Sequence, residues 1–295
     1  MKDDFKKIME AIEIEYDNIP VPEFEGYSFL EIASLIYSPF AGDSPIKLLK
    51  LEEADYLKIP MFNQIKYLIG IIQRDGELKL TNKGYLPPKI IAGLYSMGYL
   101  KDKYVEMGIS KVYREVDMDI MKLSRSLLEV SGIVKKRHNV ITLTKEGAKT
   151  IANDELLFRR LFVSSAENIS WNYFDGYPYD DIGQFGLGFS LVLLSKYGDK
   201  KRLDLFYSQK YFKAFPTVKD PDDKSETSQT QKEGCDRCYS LRTFDRFLEY
   251  WGLVDIEQTD RIHGDKFITK TDLFDKLIQC YPHSQRNLAA ELKGN

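Results

Sequence analysis

The chain has 295 residues, of which 43% are hydrophobic and 29% charged, a balance typical of a globular protein with about two domains. Its formal net charge of −3 argues against a protein that only coats nucleic acid with a uniformly basic surface. No apolar run is long enough to span a membrane or to act as a secretory signal, and three cysteines do not suggest a disulfide framework. We therefore expect a cytoplasmic protein with no membrane partner.

The first hundred residues are predicted to be mainly helical. Apolar residues recur near helical spacing within residues 2–17. Further helices are predicted near 27–37 and after Pro60, and Pro87 and Pro88 suit the first turn of another.

Two later parts of the chain combine an amphipathic helix with a hairpin. A helix predicted from Asp117 to Ser131 would turn Ile120, Leu123, Leu127 and Leu128 inward. Two short strands around a polar turn would follow, and then a helix from Thr144. The last block has the same order, with a helix from Cys235 to Trp251, a hairpin and a final helix to about Cys280.

Two segments of unusual composition lie between these parts. Residues 171–189 are rich in aromatic side chains, and we expect the cluster around Trp171 to form an interdomain core rather than a ligand pocket. Residues 216–234 contain almost no apolar side chains and are predicted to be a polar linker or loop.

A short pattern occurs three times in the chain. A glycine is followed by two apolar residues, a polar stretch, and then Leu or Ile before Thr. The three glycine–threonine pairs are Gly70 and Thr81, Gly132 and Thr144, and Gly252 and Thr269. The glycine can end a helix in the left-handed conformation, and the threonine suits the N-cap of the next helix.

This order of helix, glycine, two-stranded wing, threonine cap and helix resembles the winged-helix superfamily, and the stretch LTNKGYLPPK is similar to uncharacterised bacterial protein families. The resemblance implies an α+β fold, predominantly α-helical, with tandem winged-helix-like units and small two-stranded β-wings. The alternative is three unrelated helix–hairpin–helix passages. The expected domains are 1–100 with a weak winged-helix-like unit, 101–165 as a second unit, 166–215 as an aromatic-rich helical section, 216–234 as linker and 235–295 as the C-terminal unit.

In winged-helix DNA binders, the helix before the wing enters the major groove and the wing touches the backbone. The resemblance makes candidates of the basic residues on these elements, and Arg242, Thr243 and Arg246 are predicted to face outward. The candidate nucleic-acid-binding residues are Lys122, Arg125, Lys135, Lys136, Arg137, His138, Arg242, Arg246, Arg261 and Lys266.

Acidic residues such as Asp119 and Asp245 on the same helices would repel phosphate. Two functions therefore remain open: a DNA-binding protein of transcription regulation, or a protein-interaction or scaffold module without DNA binding.

Cysteine spacing offers one candidate metal site. Cys235 and Cys238 form C-x2-C, and Cys280 and His283 form C-x2-H, so the four side chains could hold a structural zinc ion. The alternative is reduced thiols and no cofactor, with Cys280 as a buried apolar residue.

No catalytic motif is recognised. The glycines from Gly183 to Gly188 do not have the dinucleotide-binding spacing and are expected to allow close helix packing. Asp175, Asp180 and Asp181 could hold a cation, but Asp180 and Asp181 are expected to begin a helix. The sequence therefore favours a binding protein over an enzyme.

Overall fold

The computed structural model describes residues 19–112, 114–219, 229–260 and 264–282. Over these residues the chain is mainly helical with small antiparallel sheets, which confirms the α+β class. Contacts divide it into unit 1 (Met1–Leu49, Tyr179–Asp245 and Val254–Asn295) and unit 2 (Lys50–Pro178 and Arg246–Leu253). In the described ranges, no helix combines the length and the apolar character needed to cross a bilayer.

The helices and strands are short, and their bounds follow in chain order. The α-helices are α1 (Phe29–Tyr37), α2 (Glu53–Tyr56), α3 (Pro60–Asp75), α4 (Pro88–Ser96), α5 (Lys103–Glu106), α6 (Asp119–Val130), α7 (Lys145–Thr150), α8 (Asp154–Glu167), α9 (Leu187–Tyr197), α10 (Asp204–Ala214), α11 (Gln229–Ser240) and α12 (Asp272–Leu277). A π-helix, Leu241–Leu248, directly follows α11. The strands are β1 (Ile46–Leu48), β2 (Leu78–Lys79), β3 (Val134–Arg137), β4 (Val140–Leu143), β5 (Arg202–Leu203), β6 (Val254–Gln258), β7 (Lys266–Lys270) and β8 (Ile278–Cys280).

Unit 2 contains α3, β2, α4, the one-turn helix α5, α6 and the hairpin β3–β4 in that order, and its sheet has the strand order β2-β4-β3. Apolar residues of α3 and α6 are buried at the spacing of one helix face, which removes them from water and stabilises the unit. These buried residues are Phe62, Ile65, Leu68, Ile69, Ile120, Leu127 and Leu128. An aromatic group lies in the same unit, where rings of Phe158 and Phe162 meet the Trp251 ring edge to face.

The glycine that follows α6 and the threonine that precedes α7 both have the predicted roles. Gly132 has φ +72° just after α6, a left-handed conformation that glycine adopts without strain. The Thr144 hydroxyl accepts the amide of Gly147 at 2.8 Å, so Thr144 is the N-cap of α7 as predicted. Gly147 also has a packing role, because a β-carbon there would lie 1.9 Å from the carbonyl oxygen of Ile133.

Unit 1 has the same order of main elements, without a counterpart of the one-turn helix α5: α9, β5, α10, α11 with the first residues of the π-helix, and the hairpin β6–β7, with strand order β5-β7-β6. A separate two-stranded sheet pairs β1 with β8. The predicted last helix therefore ends early, at Leu277, and Cys280 lies in a strand. The polar linker is also shorter than predicted, since α11 begins at Gln229.

Two of the three copies of the repeated pattern differ from the predicted structure. Gly70 lies inside α3, which continues to Asp75 and is followed by Gly76 with φ +79°, so the prediction that Gly70 ends a helix is wrong. Leu80 to Gly84 form a turn, in which the Gly84 amide donates to the Thr81 carbonyl. In the third copy, Thr269 belongs to β7, and Thr271 caps α12 instead by accepting the amide of Phe274.

A carboxylate with two lysine partners fixes the residues that precede α1. The Glu25 carboxylate lies 2.5 Å from Lys196 Nζ and 2.7 Å from Lys210 Nζ, and it accepts the Tyr197 hydroxyl at 2.7 Å. Burial alone would raise the pKa of Glu25. The hydrogen bonds from Lys196, Lys210 and Tyr197 outweigh burial and lower that pKa to about 2.

We expect this carboxylate to make the free energy of unfolding pH-dependent. Because the folded-state pKa is below the unfolded one, the stabilisation is present above about pH 4.5 and is lost as pH falls towards 2. Glu25→Gln should therefore be less stable than the parent protein by about 1–2 kcal/mol at pH 7, after allowance for solvent screening. Urea titrations of both proteins from pH 7 to pH 2.5 test this, and a difference that does not shrink in acid would contradict it.

Candidate nucleic-acid interface

The hairpin β3–β4 ends in a tight two-residue turn. Arg137 pairs with Val140, and the residues between them, His138 and Asn139, have φ +48° and +59°. Positive φ at both central residues is the signature of a type I′ turn, whose twist matches that of the two strands. The Asn139 carbonyl accepts the amide of Leu80 at 2.8 Å, so the turn is attached to the rest of unit 2.

Four consecutive basic candidates lie on this hairpin. Lys135, Lys136, Arg137 and His138, here called the basic wing, are all exposed. None of the four forms an ion pair with any residue that the structure describes. Lys136 Nζ lies over Gly84, 3.2 Å from the place where a β-carbon on that residue would be. The wing therefore presents positive charge to solvent without a nearby carboxylate partner.

The sheet adds a further cation that sequence analysis missed. Lys79 of β2 and Arg137 of β3 are both opposite Val140 of β4. Residues paired directly across neighbouring strands share a face of the sheet, so Lys79 lies on the same face as Arg137. Lys79 has a partner, Glu77, at 3.2 Å. In the sequence, the position of Lys79 on this face could be inferred only from strand β2, and two residues are too few to be recognised as a strand.

The cations of α6, the helix before this wing, are neutralised. Lys122 Nζ lies 2.6 Å from the Asp119 carboxylate. Arg125 Nε lies 2.6 Å from the fully buried Glu115, and the same guanidinium contacts Glu129. Burial alone would lower the pKa of Arg125, but the bonds to Glu115 and Glu129 raise it. The helix therefore offers little positive charge for phosphate.

Arg242 does not face outward as predicted. It is 1% exposed, and its guanidinium donates to the carbonyl oxygens of Tyr179 at 2.6 Å, Asp180 at 3.3 Å and Ile182 at 3.1 Å. Thr243, predicted to be exposed, is also buried. Both residues belong to the π-helix, whose i→i+5 bonding changes the helical period and turns them inward.

The other predicted nucleic-acid contacts of the C-terminal part are bonded to groups of the protein itself or lie outside the described residues. Arg246 Nη2 lies 2.6 Å from Asp119, and its other terminal nitrogen donates to the Phe174 carbonyl. Lys266 Nζ contacts Asp245 and lies 2.8 Å from Ser240 Oγ. Arg261 lies outside the described residues. The described candidates of this part are thus already bonded to carboxylate, hydroxyl or carbonyl groups of the protein.

The two hairpins differ in charge, because the hairpin of unit 1 mixes acidic residues with its basic ones. The hairpin of unit 1 exposes Asp255, Glu257 and Asp260, while Lys201 pairs with Glu257 at 2.5 Å. The basic wing of unit 2 has no acidic residue between Lys135 and His138. If phosphate is the ligand, unit 2 is the better candidate, because exposed carboxylates repel phosphate.

Within the residues that the structure describes, the cysteines do not form a metal centre. Cys235 and Cys238 are buried in α11, and Cys280 is in β8. No group of three or more His, Cys, Asp or Glu side chains within the described residues could hold a metal ion. Burial raises the pKa of the Cys235 thiol, and it raises that of Cys280 to about 12, which disfavours the thiolate that zinc needs. His283, the fourth predicted ligand, lies outside the described residues.

The aromatic segment is divided between a buried and an exposed part. Trp171 is buried within unit 2, while Tyr173 is 77% exposed. Asp180 and Asp181 do not begin a helix, because α9 starts at Leu187. The expected role of the glycines is confirmed at Gly188, where a β-carbon would lie 2.4 Å from the Leu35 carbonyl oxygen.

No protein-family model, no curated protein and no solved structure matches this chain.

Proposed function

We propose that the protein is a nucleic-acid-binding regulatory protein, and that the basic wing of unit 2 is its contact with the phosphate backbone. The observation that carries the proposal is the exposed run Lys135, Lys136, Arg137 and His138, which has no ion-pair partner among the described residues. Phosphate contacts are made by flexible basic side chains of this kind and supply most of the affinity for duplex DNA.

The order of elements supports a winged-helix-like module in each unit. In both, a helix and a short strand precede two longer helices and a hairpin, with the one-turn helix α5 added in unit 2, and the second strand of the hairpin pairs with the short strand. In winged-helix DNA binders the wing contacts the backbone beside the helix that enters the groove. Here Lys122 and Arg125 of that helix already have carboxylate partners. The proposed binding is therefore centred on the wing and depends mainly on the backbone, with little reading of base edges.

We expect the triple variant Lys135→Ala, Lys136→Ala, Arg137→Ala to bind duplex DNA more weakly. The slope of log K against log salt should become shallower by about 1 for each phosphate that the variant no longer neutralises, about 3 in all. Fluorescence anisotropy with a labelled random duplex, from about 25 to about 200 mM salt, measures both quantities.

A matched control removes the same charge from unit 2 away from the wing. Lys89, Lys103 and Lys111 are exposed, and replacing all three by alanine should leave the salt dependence close to that of the parent protein. Equally weakened binding by both triple variants would mean that net charge alone drives binding. No binding of the parent protein at low salt would defeat the nucleic-acid proposal.

A protein-interaction module is the second candidate. It is favoured by the carboxylates that neutralise α6, and by large apolar side chains that unit 2 exposes outside the wing. These are Leu57, Ile109, Leu156 and Tyr173. Two results together would favour this candidate. The parent protein would bind no duplex DNA, and a protein partner would be captured equally well by the parent protein and by the wing variant.

A further inference from the structure

The sheet β2-β4-β3 of unit 2 has one buried face and one exposed face. Each strand contributes an apolar residue to the buried face, and these residues are Leu78, Ile141 and Val134. Because side chains alternate along a strand, the outer face carries Lys79 of β2 and both Lys135 and Arg137 of β3, and all three are exposed. The outer face therefore has cations on both of its edge strands.

The middle strand between these cations is uncharged on the outer face. Val140 of β4 lies between Lys79 and Arg137, and Thr142 is opposite Lys135. Two strand spacings separate the α-carbons of Lys79 and Arg137 by about 10 Å, and two residues of strand separate those of Lys135 and Arg137 by about 7 Å. From positions this close, long basic side chains can contact several phosphates of one duplex at the same time.

The corresponding face of unit 1 shows that this arrangement of strands does not require cations. There Glu257 of β6 pairs with Phe267 of β7, and Phe267 pairs in turn with Leu203 of β5. An acidic residue and a leucine thus take the places of the two cations on the edge strands. Asp255, two residues earlier on β6, is exposed and acidic as well. The cations of unit 2 therefore need another explanation than the fold, and a bound polyanion provides one.

One carboxylate opposes the positive charge of the outer face in unit 2. Glu77 Oε1 lies 3.2 Å from Lys79 Nζ, and the two side chains are 41% and 77% exposed. An ion pair this exposed contributes little stability, because water screens both charges. A phosphate group can therefore replace Glu77 as the partner of Lys79. Strands β3 and β4 contain no acidic residue, so the competition for this face is concentrated at Glu77.

We propose that duplex DNA lies across the outer face of this sheet, that Lys79 is a further phosphate contact beside the basic wing, and that Glu77 competes with phosphate for Lys79. This inference rests on the proposed function, because it extends the same phosphate-binding surface from β3 to β2. Glu77 thereby limits the affinity of the parent protein, and a single substitution that removes its charge strengthens binding.

Two single variants and their combination test the inference, by fluorescence anisotropy with a labelled random duplex from about 25 to about 200 mM salt. Lys79→Ala should weaken binding and make the slope of log K against log salt shallower by about 1, the value for one phosphate. Glu77→Gln should tighten binding about two- to fivefold at low salt, the range that corresponds to an exposed ion pair. Most of this gain should disappear in the double variant, because Glu77 acts through Lys79.

Matched controls make the same charge changes elsewhere on unit 2. Lys89 and Glu53 are both exposed, and Lys89→Ala and Glu53→Gln should each have a smaller effect on affinity than the test variant of the same charge change. If the parent protein binds duplex DNA and each test variant behaves like its control, or if the effects of Lys79→Ala and Glu77→Gln simply add, the inference is overturned while the proposed function stands. If the parent protein binds no duplex at low salt, both are overturned.

Discussion

Replacement of Trp171 by alanine is expected to lower the free energy of unfolding by about 3–5 kcal/mol, the usual cost of removing a buried tryptophan. Trp171 is 7% exposed and its ring stacks on Phe247, with centroids 5.0 Å apart. Its indole nitrogen donates to the Ser165 carbonyl at 2.8 Å. The substitution therefore leaves both a cavity and an unsatisfied carbonyl, and the two effects act in the same direction.

Tyr173 supplies the matched control from the same short turn. Because it is 77% exposed, Tyr173→Ala should change stability by no more than about 0.5 kcal/mol. Urea unfolding can be followed through Trp251, the other tryptophan of the chain, which is buried in the same unit. Similar midpoints for the two variants would show that Trp171 is not part of a packed core.

Replacement of Arg242 by methionine is expected to destabilise the protein by about 2–4 kcal/mol. The guanidinium is held by three carbonyl groups, from Tyr179, Asp180 and Ile182, that come from one irregular segment. Methionine fills a similar volume but donates no hydrogen bond. The three carbonyls therefore lose their bonds to the guanidinium, and the buried bond to Ile182 alone is worth about 1–3 kcal/mol. Removal of a buried charge offsets part of this loss.

A further variant separates the shape of the side chain from its charge at this position, and a control variant lies at Arg237. Arg242→Lys keeps the charge but cannot donate from a planar fork to several carbonyls, so it should recover only part of the stability. Arg237, whose side chain is 63% exposed, provides the control, and Arg237→Met should be within about 0.5 kcal/mol of the parent. Thermal and urea unfolding check all three. A neutral Arg242→Met would mean that the three hydrogen bonds contribute no net stability.

The elements that follow from neighbouring residues could be predicted from the sequence. Gly132 and Gly252 both have positive φ after a helix, and Thr144 caps α7, because each choice depends only on the local backbone. The basic wing was predicted for the same reason. Alternation and a polar turn specify a hairpin without help from the rest of the chain.

The remaining features depend on residues that are distant in the sequence. Nothing near Arg246 in the sequence indicates its pairing with Asp119, and the buried Glu115 beside Arg125 is not distinguishable from a surface glutamate. The first copy of the repeat failed because α3 continues through Gly70, an exposed position with open space around it, and ends only at Asp75. Resemblance of short sequences therefore overstated the repeat, while the order of elements in the two units gives better support for it.

The π-helix from Leu241 to Leu248 has a consequence for how this chain should be compared with others. A π-helical segment holds more residues per turn than an α-helix, and it behaves like a local insertion. A related chain with one residue fewer here would keep Phe247 and Trp251 in the core, yet an ungapped alignment would pair Arg242 with the wrong residue. The buried arginine would then look variable, although its position in space had not changed. A single-residue gap within this segment would restore the match between Arg242 and its spatial equivalent.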